Sequence, residues 1–153
     1  MNDTRLSNKA LVARHYAVFN GGNPAQWDDI LHEDFATHSS VNEGRGRERY
    51  RVGYEGYVAS FSELAVDVHQ VIAEDDRVVV SFTNRGRHTG EFWGIPATGR
   101  AWQFDGIAIY RIENDRIAEA WYSEDFLGWF QQLGVMPSVA DAIDATRDAG
   151  RIN

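Results

Sequence analysis

H-T-G-E-F-W-G-I-P-A-T-G-R (His88 to Arg100), F-D-G-I-A-I-Y-R-I-E-N-D-R-I (Phe104 to Ile117) and W-Y-S-E-D-F-L-G-W-F-Q-Q-L-G (Trp121 to Gly134) decide how this chain is read. Together they spell strand, glycine-punctuated loop, strand, tight turn, strand, and a helix opened by an aspartate. They also set His88, Asp105 and Asp125 among Trp, Phe, Ile and Tyr. Titratable groups amid so much apolar surface are candidates for perturbed pKa values, which acid–base chemistry at neutral pH requires.

Working outward, the same two-residue period runs upstream. Leu64, Val66, Val68 and Ile72 alternate with Asp67 and His69, and Glu74-Asp75-Asp76 forms a hairpin turn. Val78, Val80 and Phe82 share one face of the next strand, and continued parity puts His88 on that face. Trp102, Phe104, Ala108 and Tyr110 alternate with Gln103, Asp105, Ile107 and Ile109, and Asn114-Asp115 turns the chain into a strand over Arg116 to Ser123. Strands joined by such short turns predict an antiparallel sheet.

Before Leu64 the period is helical. Leu11, Val12, Tyr16 and Phe19 define a helix from Asn8 to Phe19, with Ser7 as its cap. Asn20 to Asn23 stops it, and Pro24 opens a second short helix through Leu31. Asp34 to His38 reads as a short strand. Tyr50, Tyr54, Tyr57, Val58 and Phe61 mark a third helix from Arg47 to Phe61. Past the sheet, Phe126, Leu127, Phe130 and Leu133 suggest another short helix. Pro137 then precedes an amphipathic tail helix over Ser138 to Gly150. The expectation is one α+β domain over residues 1–153, with 135–153 a helical tail and the helices covering one face of a curved sheet.

The composition narrows the function classes. A chain of 153 residues, 43% hydrophobic and 12% aromatic, can build a core and line a cavity. No apolar run approaches the ~18–20 residues of a membrane span, and no signal peptide opens the chain. The protein is therefore expected to be cytoplasmic. With no cysteine there is no disulfide, thiolate nucleophile or Cys-based metal site. A net charge of -8 opposes nucleic-acid binding, and the alternating arginines from Arg45 to Arg51 read as a solvated face. His32, Glu33, Asp34 and His38 lack metal-site spacing, so no metal is expected. Gly90, Gly94 and Gly99 punctuate a strand connection and do not lead into a helix, which excludes a dinucleotide loop.

The three quoted segments, extended back through D-D-I-L-H-E-D-F-A-T-H to the first helix, resemble the SnoaL-like polyketide cyclase (ester cyclase) family. That family belongs to the superfamily of nuclear-transport-factor-2-like and ketosteroid-isomerase-like cones. The resemblance spans roughly Ala10 to Gly134. It implies a cone in which N-terminal helices pack on the concave face of a curved antiparallel sheet, around an apolar pocket. It also implies a homodimer or higher homo-oligomer, no metal or organic cofactor, and a small apolar carbonyl-containing substrate. The implied chemistry is proton abstraction alpha to a carbonyl followed by intramolecular aldol ring closure.

By the same resemblance Asp125 matches the aspartate of the terminal D-x-x-G motif. His88 matches the histidine opening the glycine loop, and His38 the one closing D-F-x-x-H. Asp105 departs from the small or basic residue that many members carry before Gly106.

Each candidate has a plain alternative. Asp125 is the base or a helix cap. His88 polarises the oxygen or is a satisfied core histidine. Asp105 is a buried carboxyl on the cavity side or an outer residue paired with an arginine. His38 is catalytic or a loop histidine bound to backbone. Tyr16, Tyr54, Phe82, Trp102 and Trp121 are the aromatic candidates for the pocket wall, against a role as ordinary core. Two other functions stay open: another acid–base chemistry of the same cone (dehydration, isomerisation or epoxide hydrolysis), or a ligand-binding or association module. Gln103-x-Asp105, in place of Arg-x-Asp, counts against epoxide hydrolysis.

Overall fold

The computed structural model describes residues 2–151; Met1 and residues 152–153 of the expected domain lie outside them. Helix α1 (Asn2–Phe19) buries Asn8, Leu11, Val12, His15, Tyr16 and Val18, the spacing of one helical face. It ends where Gly21 turns left-handed, at φ 94°. Asn20 then clasps the sheet, its Nδ2 donating to Val66 O at 2.9 Å and its Oδ1 accepting from Val66 N at 2.8 Å. Asn23 caps a 3-10 turn opened by Pro24, which runs into the short helix α2 (Trp27–Ile30).

Six strands follow: β1 (Leu31–His38), β2 (Gly44–Arg45), β3 (Phe61–Glu74), β4 (Arg77–His88), β5 (Ala101–Glu113) and β6 (Arg116–Glu124). They form one curved, open sheet in the order β2-β1-β6-β5-β4-β3. The hairpins are antiparallel as expected, with Asp75, Asn114 and Asp115 at positive φ in the turns. The sheet as a whole is mixed, because β1 runs parallel to β6. Between them lie α3 (Arg47–Ser60) and the long β3–β5 meander, a connection long enough to reverse direction without a hairpin.

On β5, Trp102, Phe104, Gly106, Ala108 and Tyr110 are buried while Gln103, Asp105, Ile107 and Ile109 are exposed, so the alternation divides core from outer face cleanly. The core has two parts. The larger gathers α1, α2 and the sheet around Trp27, Phe35 and Tyr110. The smaller stacks Phe61, Phe92, Trp102, Phe104 and Trp129 at the other end. Helix α4 (Phe126–Leu133) closes that end and stops at Gly134, in the left-handed region at φ 79°. Helix α5 (Val139–Arg151) follows, and residues 139–150 are exposed. No described helix is long and apolar enough to cross a membrane.

Candidate active site

Where the two core clusters meet, they leave a cavity of about 330 Å³. Helix α3 supplies one wall. Its Tyr50, Tyr54 and Tyr57 recur at helical spacing on the sheet-facing side. The sheet supplies Asn84, Phe104, Tyr122 and Glu124, α4 supplies Phe126 and Trp129, and the β4–β5 loop supplies Phe92 and Trp93. Ser39, Val41 and Asn42 complete the rim. Two other depressions, of about 520 and 620 Å³, are wider but more open. One is a groove between α1 and β3, and the other runs along the outer sheet face to the end of β6, where Asp105, Glu124 and Asp125 line it. Neither is walled by aromatic side chains as this cavity is.

Glu124 is the carboxyl of this cavity. Register places it beside Gly106, which in turn faces Phe82, so the glycine leaves room for both larger side chains. A Cβ at Gly106 would lie 2.5 Å from Phe82 Cζ and 3.1 Å from Glu124 Cγ. Among the described residues nothing donates a hydrogen bond or ion pair to the Glu124 carboxyl, and burial alone pushes its pKa up to about 7. Around it the phenols of Tyr50, Tyr57 and Tyr122 are held neutral, each pushed up chiefly by burial. Tyr57 donates to Asn84 Oδ1 at 3.3 Å. That bond fixes the amide orientation and leaves the Asn84 NH2 free. The Tyr122 hydroxyl is buried close to the hydroxyls of Tyr50 and Tyr110.

The residues expected from the sequence fall in other places. Asp125 is exposed and caps α4, its Oδ1 accepting from Gly128 N at 2.8 Å. His88 is fully buried, as its parity requires, but does not line the cavity. Its Nδ1 accepts from Thr98 N at 3.3 Å, which ties down the loop carrying Phe92 and Trp93 and assigns its proton to Nε2, a buried atom without a partner. Asp105 lies on the outer face, where Thr83 donates to its Oδ1 at 2.6 Å and His69 Nε2 lies 2.8 Å from the same hydroxyl. Its partner is a threonine, not an arginine.

His38 also faces outward, stacked 5.2 Å from Trp121 and bound 3.0 Å from Glu119 and 3.0 Å from Glu43. The hydrogen bond to Glu119, with further help from Glu43, raises its pKa. Trp121 therefore sits outside the cavity. Of the aromatic candidates Tyr54 lines it. Tyr16 packs in the core and accepts from Tyr110 OH at 2.8 Å, Phe82 packs behind Gly106, and Trp102 stacks on Phe104. His15, which shows no partner in the sequence, accepts at Nδ1 from Trp27 Nε1 at 3.1 Å, and burial lowers its pKa to about 3. The described residues hold no cluster of His, Asp or Glu suited to a metal ion.

The α+β cone that holds this cavity has clear counterparts among known proteins. Residues 9–133 match the profile of the SnoaL-like polyketide cyclase family. The chain belongs to that family. Aklanonic acid methyl ester cyclase DauD of Streptomyces sp. strain C5 is 30% identical over 134 residues, covering 81% of this chain and 80% of its own. Aklanonic acid methyl ester cyclase DnrD of Streptomyces peucetius is 28% identical over 129 residues, covering 81% and 88%. Among solved structures, TsrD from Streptomyces laurentii superposes with a TM-score of 0.78 at 31% identity, covering 86% of this chain and 98% of its own. In this SnoaL-like chain the terminal D-x-x-G aspartate is Asp125, and the residue before it is the cavity carboxyl. The signal for Glu124 was present in the strand parity. Gly106 and Ala108 are buried on β5, and pairing sets them against Glu124 and Tyr122.

Proposed function

We propose that this SnoaL-like protein closes a ring in a polyketide ester by general acid–base catalysis, with Glu124 transferring the proton. The observation that carries this reading is an unpartnered carboxyl on an aromatic cavity wall, with burial holding its pKa up to about 7. Such a group is more basic than a carboxylate in water and still substantially ionised at neutral pH.

In the proposed step, ionised Glu124 takes the proton from the carbon alpha to a carbonyl. The electron pair left behind delocalises as an enolate, and its carbon attacks a second carbonyl carbon of the same molecule. One C–C bond forms, the second carbonyl π bond breaks, and the resulting alkoxide receives a proton back from the Glu124 carboxylic acid. The free NH2 of Asn84 is suited to donate to the developing enolate oxygen, because Tyr57 already occupies its Oδ1. The buried Tyr122 hydroxyl is a second donor for an oxygenated substrate.

Two features favour an ester over a free acid. The relatives are named as methyl ester cyclases. No Lys, Arg or His stands among the cavity-lining residues to neutralise a second carboxylate. In this reading Asp125 is a cap, His88 anchors the loop, and Asp105 and His38 belong to the outer face. The test is turnover of aklanonic acid methyl ester by the wild type and by Glu124→Gln. Wild-type turnover should rise with pH to a midpoint near 7, the value that burial gives Glu124. The variant should lose at least ~100-fold. Equal activity in the two proteins would overturn the assignment.

A further inference from the structure

Trp93 occupies a left-handed backbone position that suits Gly, Asn or Asp better than tryptophan. Phe92 N donates to Ile95 O at 3.0 Å and Ile95 N to Phe92 O at 2.9 Å, closing a two-residue turn. Both central residues are left-handed, Trp93 at φ 51° and Gly94 at φ 79°. Turns of this hand favour Asn, Asp or Gly, because a Cβ crowds the following carbonyl and only short polar side chains offset that locally. The chain respects the rule at its other such turn, Asn114-Asp115, with φ 49° and 58°.

Trp93 is also 62% exposed, so the fold gains little apolar burial from an indole there. The ring stacks on Phe92, with centroids 4.4 Å apart and planes 19° apart, lies 6.1 Å from the Phe130 ring, and is otherwise open at the cavity rim. A bulky residue kept in a strained and exposed position points to a role outside the core.

The size of the cavity indicates what that role is. At about 330 Å³ it lies at the low end of small-molecule sites, which run to about 1,000 Å³. A flat ligand of several fused rings that fills the space beside Glu124 reaches the rim, where Trp93 stands. We infer that Trp93 is a specificity-determining platform for planar polycyclic ligands. The reacting ring lies inside beside Glu124, and the outer rings stack on the indole. This rests on the cavity being the substrate site, as proposed above. It also requires the ligand to be conjugated and flat, since a puckered ring system presents no face to the indole.

The test is calorimetric titration of the full chain with 1,8-dihydroxyanthraquinone and, as a one-ring control, methyl salicylate. Trp93→Asn should weaken the anthraquinone about five- to tenfold, the order of one aromatic stack. It should leave methyl salicylate within about twofold and should not lower the melting temperature, because asparagine suits the turn. Trp93→Phe should keep most of the anthraquinone affinity. Unchanged binding of both ligands to Trp93→Asn would overturn the inference and leave the cavity reading intact. Equal loss of both ligands with a lowered melting temperature would make Trp93 a wall support and overturn it as well. Failure of the wild type to bind either ligand would overturn the cavity as substrate site, and this inference with it.

Discussion

Glu124 and Asp125 are neighbours in the chain and belong to different environments. Glu124 is the last residue of β6 and lines the aromatic cavity. Asp125 is exposed and caps α4, and its own N–H donates to Asp105 O at 3.3 Å. A strand passes into a helix across a single peptide bond here. One carboxyl is therefore desolvated while the next is spent on a backbone N–H.

The Glu124 carboxyl, half-buried on the cavity wall, makes stability depend on pH. The Glu124 pKa rises from 4.5 to about 7 on folding, so the folded state holds its proton over a range where the unfolded chain has lost it. Below pH 4.5 both states are protonated and the group costs nothing. The cost grows as pH rises from there and is complete above 7, at about 3 kcal/mol. Glu124→Gln should match the wild type in melting temperature at pH 4 and exceed it by about 6–12 °C at pH 8. Calorimetry at pH 4, 6 and 8 checks this. An offset that does not change with pH would mean the carboxyl is not desolvated.

Asp125 should behave as a cap. Asp125→Ala loses the bond to Gly128 N and should cost about 1 kcal/mol, or about 2–4 °C. Asp125→Asn keeps an acceptor oxygen there and should stay within a few-fold of wild-type turnover. A loss near 100-fold in Asp125→Asn at unchanged melting temperature would return the base to Asp125.

Gly106 sets the space for Glu124. Its added Cβ in Gly106→Ala would press on both the Phe82 ring and the Glu124 side chain. Overpacking of this kind costs about 1–3 kcal/mol. The melting temperature should fall, and turnover should fall further than in the outer-face control Ile107→Ala, whose side chain is 52% exposed. Equal turnover in the two variants would show that the Glu124 position tolerates the shift.

The meander from Phe61 to Glu124 was legible because alternation and turn residues are local signals. Val78, Val80 and Phe82 share the inward face, and His88 follows them into the core. The parallel pairing of β1 with β6 was not legible, since the partners lie some eighty residues apart and nothing in either strand names the other. The site was legible only in outline. The aspartate of the motif is conspicuous, whereas Glu124 continues the inward parity of Ala120 and Tyr122 one residue past the strand end read from the sequence. Its burial depends on α3 and α4 closing over the strand end. Asp105 illustrates the same limit. Alternation separated it from Trp102 and Phe104, but two isoleucines on its own face made that face look buried until the sheet showed it to be the outer one.

By itself the sequence determined the family, the α+β order of elements and the inward parity of most strands, because these depend on side-chain periods of two and 3.6 and on turns only a few residues long. The tertiary structure alone decided which carboxyl is desolvated, which face of the sheet meets solvent, and that three tyrosines of α3 meet Glu124 across a cavity. Those properties come from how much solvent and which polar partners surround an atom, and both are set by segments far apart in the chain.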